Sequence, residues 1–483
     1  MRILSLVEWL LLAIPLTFAL STSVFRKRVI GVATPGALGV VRVIVFGVLA
    51  YCTANVPMWR ITRAVEADRQ SLGITHLLDF IPGFSSIPAH AMALLAFKSF
   101  AILFSVLACV GLFTRFTVPL ATLFYLILAG WIRGVSTFNH SGIVPLYCAA
   151  VLCLTHCGDG LSLDRLLRKR RGKPVPPGDV PAEHYAWGRY LVWLAIVLPY
   201  MSAGLCKLST GGWDWWYADN LRFHALRNAF SITGGRAPTV AHLASWPDFF
   251  WAGMGLLTLF AELGSVFLLF SRWARLILPF LLAGMHVGIM KLMAIPFVDL
   301  ILLQLVFLPY GFVSRRVATD ALLGAPACDA AASSARFRFP AMVAAIMIAL
   351  QFGVWKTQFE YYPLTAFAMY SENPGVTTIT RWKVYARDAS TGKKHSFNIT
   401  KFSPKLTQIR RWLRDAFDRR DPKPDILIDR LQHFGRLYNR SAEPSKRITE
   451  IEIVQYWWNF VKAPDDPKFG EESGRLVIPV PPN

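Results

Sequence analysis

Long apolar runs constrain this chain more than any other feature. Stretches able to cross a ~30 Å hydrocarbon core at 1.5 Å per residue, given some tilt, recur near residues 3–21, 36–55, 92–113, 116–132, 142–157, 189–206, 249–270, 274–290, 293–313 and 339–357. They predict an all-α polytopic membrane bundle of about ten transmembrane helices. With 483 residues, 54% of them hydrophobic and 17% charged, the chain is too apolar for a soluble globule of this length. The first run reads as a retained helix and not as a signal peptide. Its charges, Arg26, Lys27 and Arg28, follow the apolar stretch instead of preceding it, and no clear small-residue cleavage site appears.

Lysine and arginine in the short loops set the expected orientation. The segment 158–188 carries Arg165, Arg168, Lys169, Arg170, Arg171 and Lys173, which the positive-inside rule assigns to the cytoplasm. The segments near 56–91, 133–141 and 207–248, with everything after 357, then face outward. Much of the net charge of +21 is loop charge of this topogenic kind. No basic module interleaved with aromatics stands out, so nucleic acid is a poor partner and anionic lipid headgroups are the expected one. The cysteines lie mostly in apolar segments and show no disulfide framework.

Composition divides the chain into a transmembrane part, 1–357, and an outward-facing α+β domain, 358–483. In the tail, RWKVYARD, ASTGKK and HSFNIT read as a hairpin with a glycine-containing turn. PKLTQIRRWLRDAFDRR reads as an amphipathic helix carrying Leu406, Ile409, Trp412, Leu413 and Phe417 on one face. ITEIEIVQYWWNFV reads as a further strand. The small-residue stretch 322–335 reads as a linker.

Ionisable and polar groups within or beside membrane helices are costly unless they are paired or used. Here they are few. Asn139, His140 and Ser141 stand at the outer end of the fifth run, and Lys207 at the outer end of the sixth, just before Trp213, Trp215 and Trp216. Glu262 lies within the seventh run and His286 within the eighth. Taken singly, Lys207 reads as a snorkelling anchor and His140 as an interfacial hydrogen-bonding residue. Glu262 and His286 read as a buried structural pair. The topology nevertheless brings His140 and Lys207 to the same face. Cys153, His156 and Cys157 have a spacing seen in metal sites, but no second ligand pair follows, so they read as core packing and no metal is predicted.

Three blocks, FNHSGIVPLYCAAVLCLTHCGDGLSLD, YMSAGLCKLSTGGWDWW and FAELGSVFLLFSRWARLILPFLLAGMHVGIMKLMAIPF, resemble successive signatures of the vitamin K-dependent γ-carboxylase-like superfamily, also called the horizontally transferred transmembrane (HTTM) domain family. The likeness spans roughly residues 36–313. It implies a membrane oxidoreductase or carboxylase (lyase) that oxidises a reduced quinone, vitamin K hydroquinone or menaquinol, with O₂. The product of that step is a base able to deprotonate a glutamyl or other acceptor on a peptide or protein, whose carbanion captures CO₂ in the carboxylating members. Lys207 matches the family's quinol-deprotonating lysine, and His140 the histidine that stabilises the glutamate carbanion. The first step needs a neutral amine, and an apolar pocket disfavours the charged form of one. Asn139, Ser141, Trp213, Trp215, Trp216, Glu262 and His286 are the candidate pocket residues; the three tryptophans serve either as a wall for a flat quinone or as an interfacial aromatic belt.

The chain departs from the animal carboxylases at Cys206, where they carry a second lysine, and residues 358–483 do not match their propeptide-binding region. The likeness therefore points to a shorter, bacterial-type member in an inner membrane, with the C-terminal domain on the periplasmic side. The competing class is a non-enzymatic membrane helper that binds a lipid or peptide for its maturation or export.

Overall fold

The computed structural model describes residues 2–64, 71–135, 140–176, 180–230, 242–293, 295–310, 338–398, 413–414, 416–417, 425–466 and 468–481. Among them, seven helices are long and apolar enough to cross a membrane, and an eighth span results if the N-terminal pair Val7–Ser21 and Ser23–Ile30, bent by 61°, is taken as one. We label the helices that carry the argument α1 (Pro35–Ala54), α2 (Ala91–Val110), α3 (Thr114–Val135), α4 (Ile143–Leu152), α5 (Leu163–Arg170), α6 (Glu183–Gly211), α7 (Ala218–Ala229), α8 (Asp248–Gly264), α9 (Arg272–Met293), α10 (Val298–Leu303), α11 (Arg338–Thr357) and α12 (Asp425–Ser441).

The expected count of about ten spans is not what the fold displays. The runs at 142–157 and 293–313 yield only α4, of ten residues, and Val298–Phe307, which is α10 with a 3-10 turn appended. Ten residues rise about 15 Å, half of a ~30 Å core. Hydropathy cannot separate a spanning helix from a short helix buried in protein, because both are apolar throughout. The two short helices begin at one place. Asp299 accepts hydrogen bonds from Ser141 Oγ at 3.2 Å and from Gly142 N at 2.6 Å.

The centre of the bundle is α6. Its apolar window is 83% buried, against 22% for α2 and for α9. A helix apolar on every side belongs inside a bundle, whereas α2 and α9 leave most of their apolar surface uncovered by the described residues. Local chemistry fixes the ends. The Thr34 hydroxyl accepts the Ala37 N–H at 3.2 Å with Pro35 opening α1, and Gly111, at φ 74°, closes α2 in the left-handed conformation. The Asp164 carboxylate caps α3, accepting from Phe113 N at 2.6 Å, Thr114 N at 2.7 Å and Thr114 Oγ1 at 2.7 Å.

The end of α2 and the loop after α4 gather around Arg42 of α1. Its guanidinium donates to the carbonyls of Cys157 (2.7 Å), Gly160 (3.2 Å), Cys109 (3.4 Å) and Leu161 (2.5 Å). Gly39 and Gly160 permit that approach, since a Cβ on either would overlap backbone of the other segment.

The C-terminal region is an antiparallel sheet in the order β2-β1-β3-β4, with β1 Thr378–Asp388, β2 Lys394–Ser396, β3 Ile448–Asn459 and β4 Glu471–Pro479. The expected hairpin is β1–β2, with Tyr385 opposite Ser396, and the expected third strand is β3. Val384 and Ala386 on β1 pack with Leu427, Leu431 and Phe434 of α12. The helix expected over PKLTQIRRWLRDAFDRR lies largely outside the described residues. Its Leu413, buried, and its Phe417 join this same core. Phe223 and Leu226 on α7 pack with Ile379 and Trp458, which ties the sheet to the segment that follows α6.

Candidate functional site

Lys207 sits near the C-terminal end of α6 and has not snorkelled: it is only 4% exposed. Its Nζ donates to Glu262 Oε1 on α8 at 2.8 Å and lies 5.3 Å from the ring centroid of Trp215. One turn earlier, Gly204 leaves room for α8. A Cβ there would stand 2.8 Å from Leu263 Cδ2 and 3.2 Å from Glu262 Cβ, so the absent side chain lets the two helices meet where the pair forms. Glu262 is 6% exposed, and its Oε2 has no hydrogen-bond partner among the described residues.

Of the three tryptophans, only Trp215 belongs to this cluster. Its indole N–H donates to the Tyr370 carbonyl at 2.6 Å, and the ring is buried. Trp213 is 81% exposed, and Trp216 stacks edge-on against Tyr217.

The reading that paired Glu262 with His286 is corrected by the structure. Glu262 takes Lys207, whereas His286 Nε2 lies 2.8 Å from the Tyr200 hydroxyl. That hydroxyl also accepts from Gln304 Nε2 at 3.0 Å. Sequence position could not separate these partners, because α6 presents Tyr200 and Lys207 two turns apart, each toward a different neighbour.

His140 is half-buried. Its Nδ1 lies 3.2 Å from Thr365 Oγ1, and its ring centroid stands 5.3 Å from that of Phe367. Desolvation by the surrounding atoms, with the Arg133 and Lys207 cations nearby, pushes the imidazole down to about 3. At neutral pH it is an uncharged group able to donate one N–H. Ser141 and Gly142 are held from both sides. Asp299 accepts their Oγ–H and N–H as above, and the Arg133 guanidinium donates to the Ser141 carbonyl. Gly142 has φ 78°, and a Cβ there would overlap the Tyr125 hydroxyl. Asn139 lies outside the described residues.

What sequence reasoning missed is the strap at 358–371, directly after α11. Instead of leaving the bundle, it runs back into it, and Tyr362, Thr365, Ala366 and Phe367 are all buried. The Ala366 carbonyl accepts from Ser202 Oγ (2.6 Å) and Cys206 Sγ (3.4 Å) on α6, while its N–H donates to Glu360 Oε1 at 3.0 Å. Tyr147 donates to the Pro363 carbonyl at 2.6 Å, and Tyr362 to the Leu126 carbonyl at 2.9 Å. Lys207 and His140 thus share one scaffold: Thr365 and Phe367 touch His140, and Ala366 touches the residue next to Lys207. The available signal was the aromatic content of QFEYYPLTAFAMYS, which suits a buried segment better than an exposed connection.

Cys153 and Cys157 hydrogen-bond to the backbone carbonyls of Ala149 and Leu152, and among the described residues no group of three or more His, Cys, Asp or Glu is placed to hold a metal ion. A cavity of about 690 Å³ lies at the opposite end of the bundle, among the ends of α3, α4 and α5. It belongs to different chemistry from Lys207 and His140. Comparison of the chain with family models, with characterised proteins and with solved structures finds no match in any of the three.

Proposed function

We propose that the protein is an integral membrane enzyme resembling the vitamin K-dependent γ-carboxylases, which uses Lys207 to deprotonate a reduced quinone for reaction with O₂. The observation that carries this reading is the buried amine of Lys207, held 2.8 Å from one oxygen of Glu262 whose other oxygen has no partner. A structural ion pair is expected to satisfy both oxygens of a buried carboxylate; an orphaned one is costly and suits a second ligand. A hydroquinone would fit this donor set: Lys207 and the free oxygen of Glu262 would hold its hydroxyl, and Trp215 would supply an aromatic neighbour.

In this reading a quinol held by Lys207 and Glu262 would supply the electrons for O₂ and the basicity needed at the acceptor. In the proposed step the proton that Lys207 shares with Glu262 passes to that carboxylate, the amine so freed takes the phenolic proton, and the ammonium that re-forms pairs with the phenolate. Neutral His140, oriented through Nδ1 by Thr365, offers a hydrogen bond to negative charge developing on the acceptor. Glutamyl carboxylation with CO₂ is the specific form, and a periplasm-facing site in a bacterial inner membrane is the corresponding location.

The test is quinone epoxide formation by the protein in nanodiscs, given vitamin K hydroquinone or menaquinol and O₂. Lys207→Ala is expected to lower the rate by at least about 10²-fold, the usual contribution of a positioned base. His140→Ala is expected to retain epoxide formation while uncoupling it from acceptor modification. Absence of epoxide with every quinol, in folded protein able to bind them, overturns the proposal in favour of a lipid- or peptide-binding helper.

A further inference from the structure

The cavity at the end of the bundle remote from Lys207 has a charge pattern that the proposed activity does not use. Its volume of about 690 Å³ is that of a small-molecule pocket. Two carboxylates face it, and both are occupied. Asp164 accepts three hydrogen bonds at the start of α3, and Asp159 takes Arg168 Nη2 at 3.1 Å and the Tyr185 hydroxyl at 3.1 Å. Three further cations line it, Arg115, Arg171 and Lys173, and none of them makes an ion pair among the described residues.

The floor of the cavity is rigid. The loop at 157–161 is pinned from beneath by Arg42, and its Gly158 carbonyl accepts from Arg168 Nη2 at 3.3 Å. At the lip, Phe113 and Phe116 are 59% and 66% exposed where spanning helices α2 and α3 meet. Free cations over a fixed floor, with an apolar lip at the level where membrane helices end, match an amphiphile bearing an anionic phosphate.

We propose that this cavity binds the phosphate of an anionic phospholipid, with Arg115, Arg171 and Lys173 on the phosphate and Phe113 and Phe116 against the start of the acyl chains. A soluble phosphate ester carries the same anion but has no use for the exposed phenylalanines, so the two sources can be told apart. The inference stands independently of quinone chemistry.

Native mass spectrometry of the full chain in micelles, titrated with phosphatidylglycerol, phosphatidylcholine or sn-glycerol 3-phosphate, tests it. The triple variant Arg115→Gln, Arg171→Gln, Lys173→Gln is expected to bind phosphatidylglycerol at least about tenfold more weakly than wild type, while a triple of exposed cations outside the cavity, Arg28→Gln, Lys169→Gln, Arg170→Gln, changes it less than about twofold. Retention of the same size-exclusion profile and melting temperature in both triples shows that folding is not the cause. Equal losses in the two triples reduce the effect to the general field of this face and overturn the site. Binding of phosphatidylcholine as tight as that of phosphatidylglycerol overturns it as well, and tight binding of glycerol phosphate with none of lipid overturns the membrane source.

Discussion

Arg42 and Lys207 are both cations buried among apolar helices, at 0% and 4% exposure, yet the fold treats them in opposite ways. The Arg42 guanidinium spreads four hydrogen bonds over carbonyls from two separate segments, leaving only Nε without a partner among the described residues. Lys207 has one hydrogen bond, to a carboxylate that is itself half satisfied, and the face of one tryptophan. Burying a charge costs the same desolvation at either end. Where the neighbours absorb that cost, the cation is an architectural pin. Where they absorb it incompletely, residual hydrogen-bonding capacity is held ready for something else. Charge and burial alone do not distinguish these cases; the count of partners does.

The largest expected effect falls on the pin. Arg42→Leu leaves four carbonyls without their donor at the junction of α1, α2 and the loop after α4, and is expected to cost about 3–5 kcal/mol or to prevent folding. Arg42→Lys keeps the charge but not the planar fork, so it should recover only part of the loss. Denaturation of detergent-solubilised protein measures both. An Arg42→Leu protein as stable as wild type would break the distinction at its strong end.

At the other end the same operation should come out differently. Lys207→Met alone strands a buried carboxylate and is expected to destabilise by about 3 kcal/mol. Adding Glu262→Met should remove that cost, because two apolar side chains replace a poorly solvated pair, and stability should return to wild type or exceed it by about 1 kcal/mol or more. Quinol oxidation should stay lost in the double variant. Stability regained while activity stays lost is the signature of a pair kept for chemistry, whereas a double variant no more stable than Lys207→Met would make the pair structural like Arg42.

The elements legible in the sequence were those with a local signal. Long helices announce themselves by length and hydropathy, and the β1–β2 hairpin by a glycine turn between strand-like runs. Lys207 and Glu262 were visible as costly residues, but not as partners, because their meeting depends on the α6–α8 crossing at Gly204, a contact between segments 55 residues apart. The short helices α4 and α10 were overcounted as spans, since hydropathy registers burial without saying whether lipid or protein does the burying. The strap at 358–371 was least legible. It has no periodicity of its own, and its hydrogen bonds go to α3, α4 and α6, which no local pattern encodes. α12 does carry a local signal, since Leu427, Leu431, Phe434 and Tyr438 recur at helical spacing.

The smallest predicted effect concerns His140, and it tests whether the incompletely satisfied character of Lys207 extends to its neighbourhood. The folded protein holds this imidazole at about 3, against an ordinary value near 6.5. Between those values the unfolded chain binds the proton and the folded chain does not. The contribution of His140 to stability is therefore complete above about pH 6.5 and is lost on acidification at up to about 1.4 kcal/mol per pH unit. Carboxylates and His224, itself pushed down to about 4, titrate in the same range, so the quantity to measure is the difference in slope between wild type and His140→Gln. The variant should show the shallower acid limb. Because the Lys207 cation is one cause of the depression, the double variant Lys207→Met, Glu262→Met should lose the His140 contribution over a narrower window, starting from the same pH near 6.5 but levelling off at a higher pH, its imidazole having moved back toward 6.5. Identical acid limbs in wild type and His140→Gln would mean that His140 titrates as it does in water, and the neutral hydrogen-bond donor assigned to the acceptor side of the site would have to be found elsewhere.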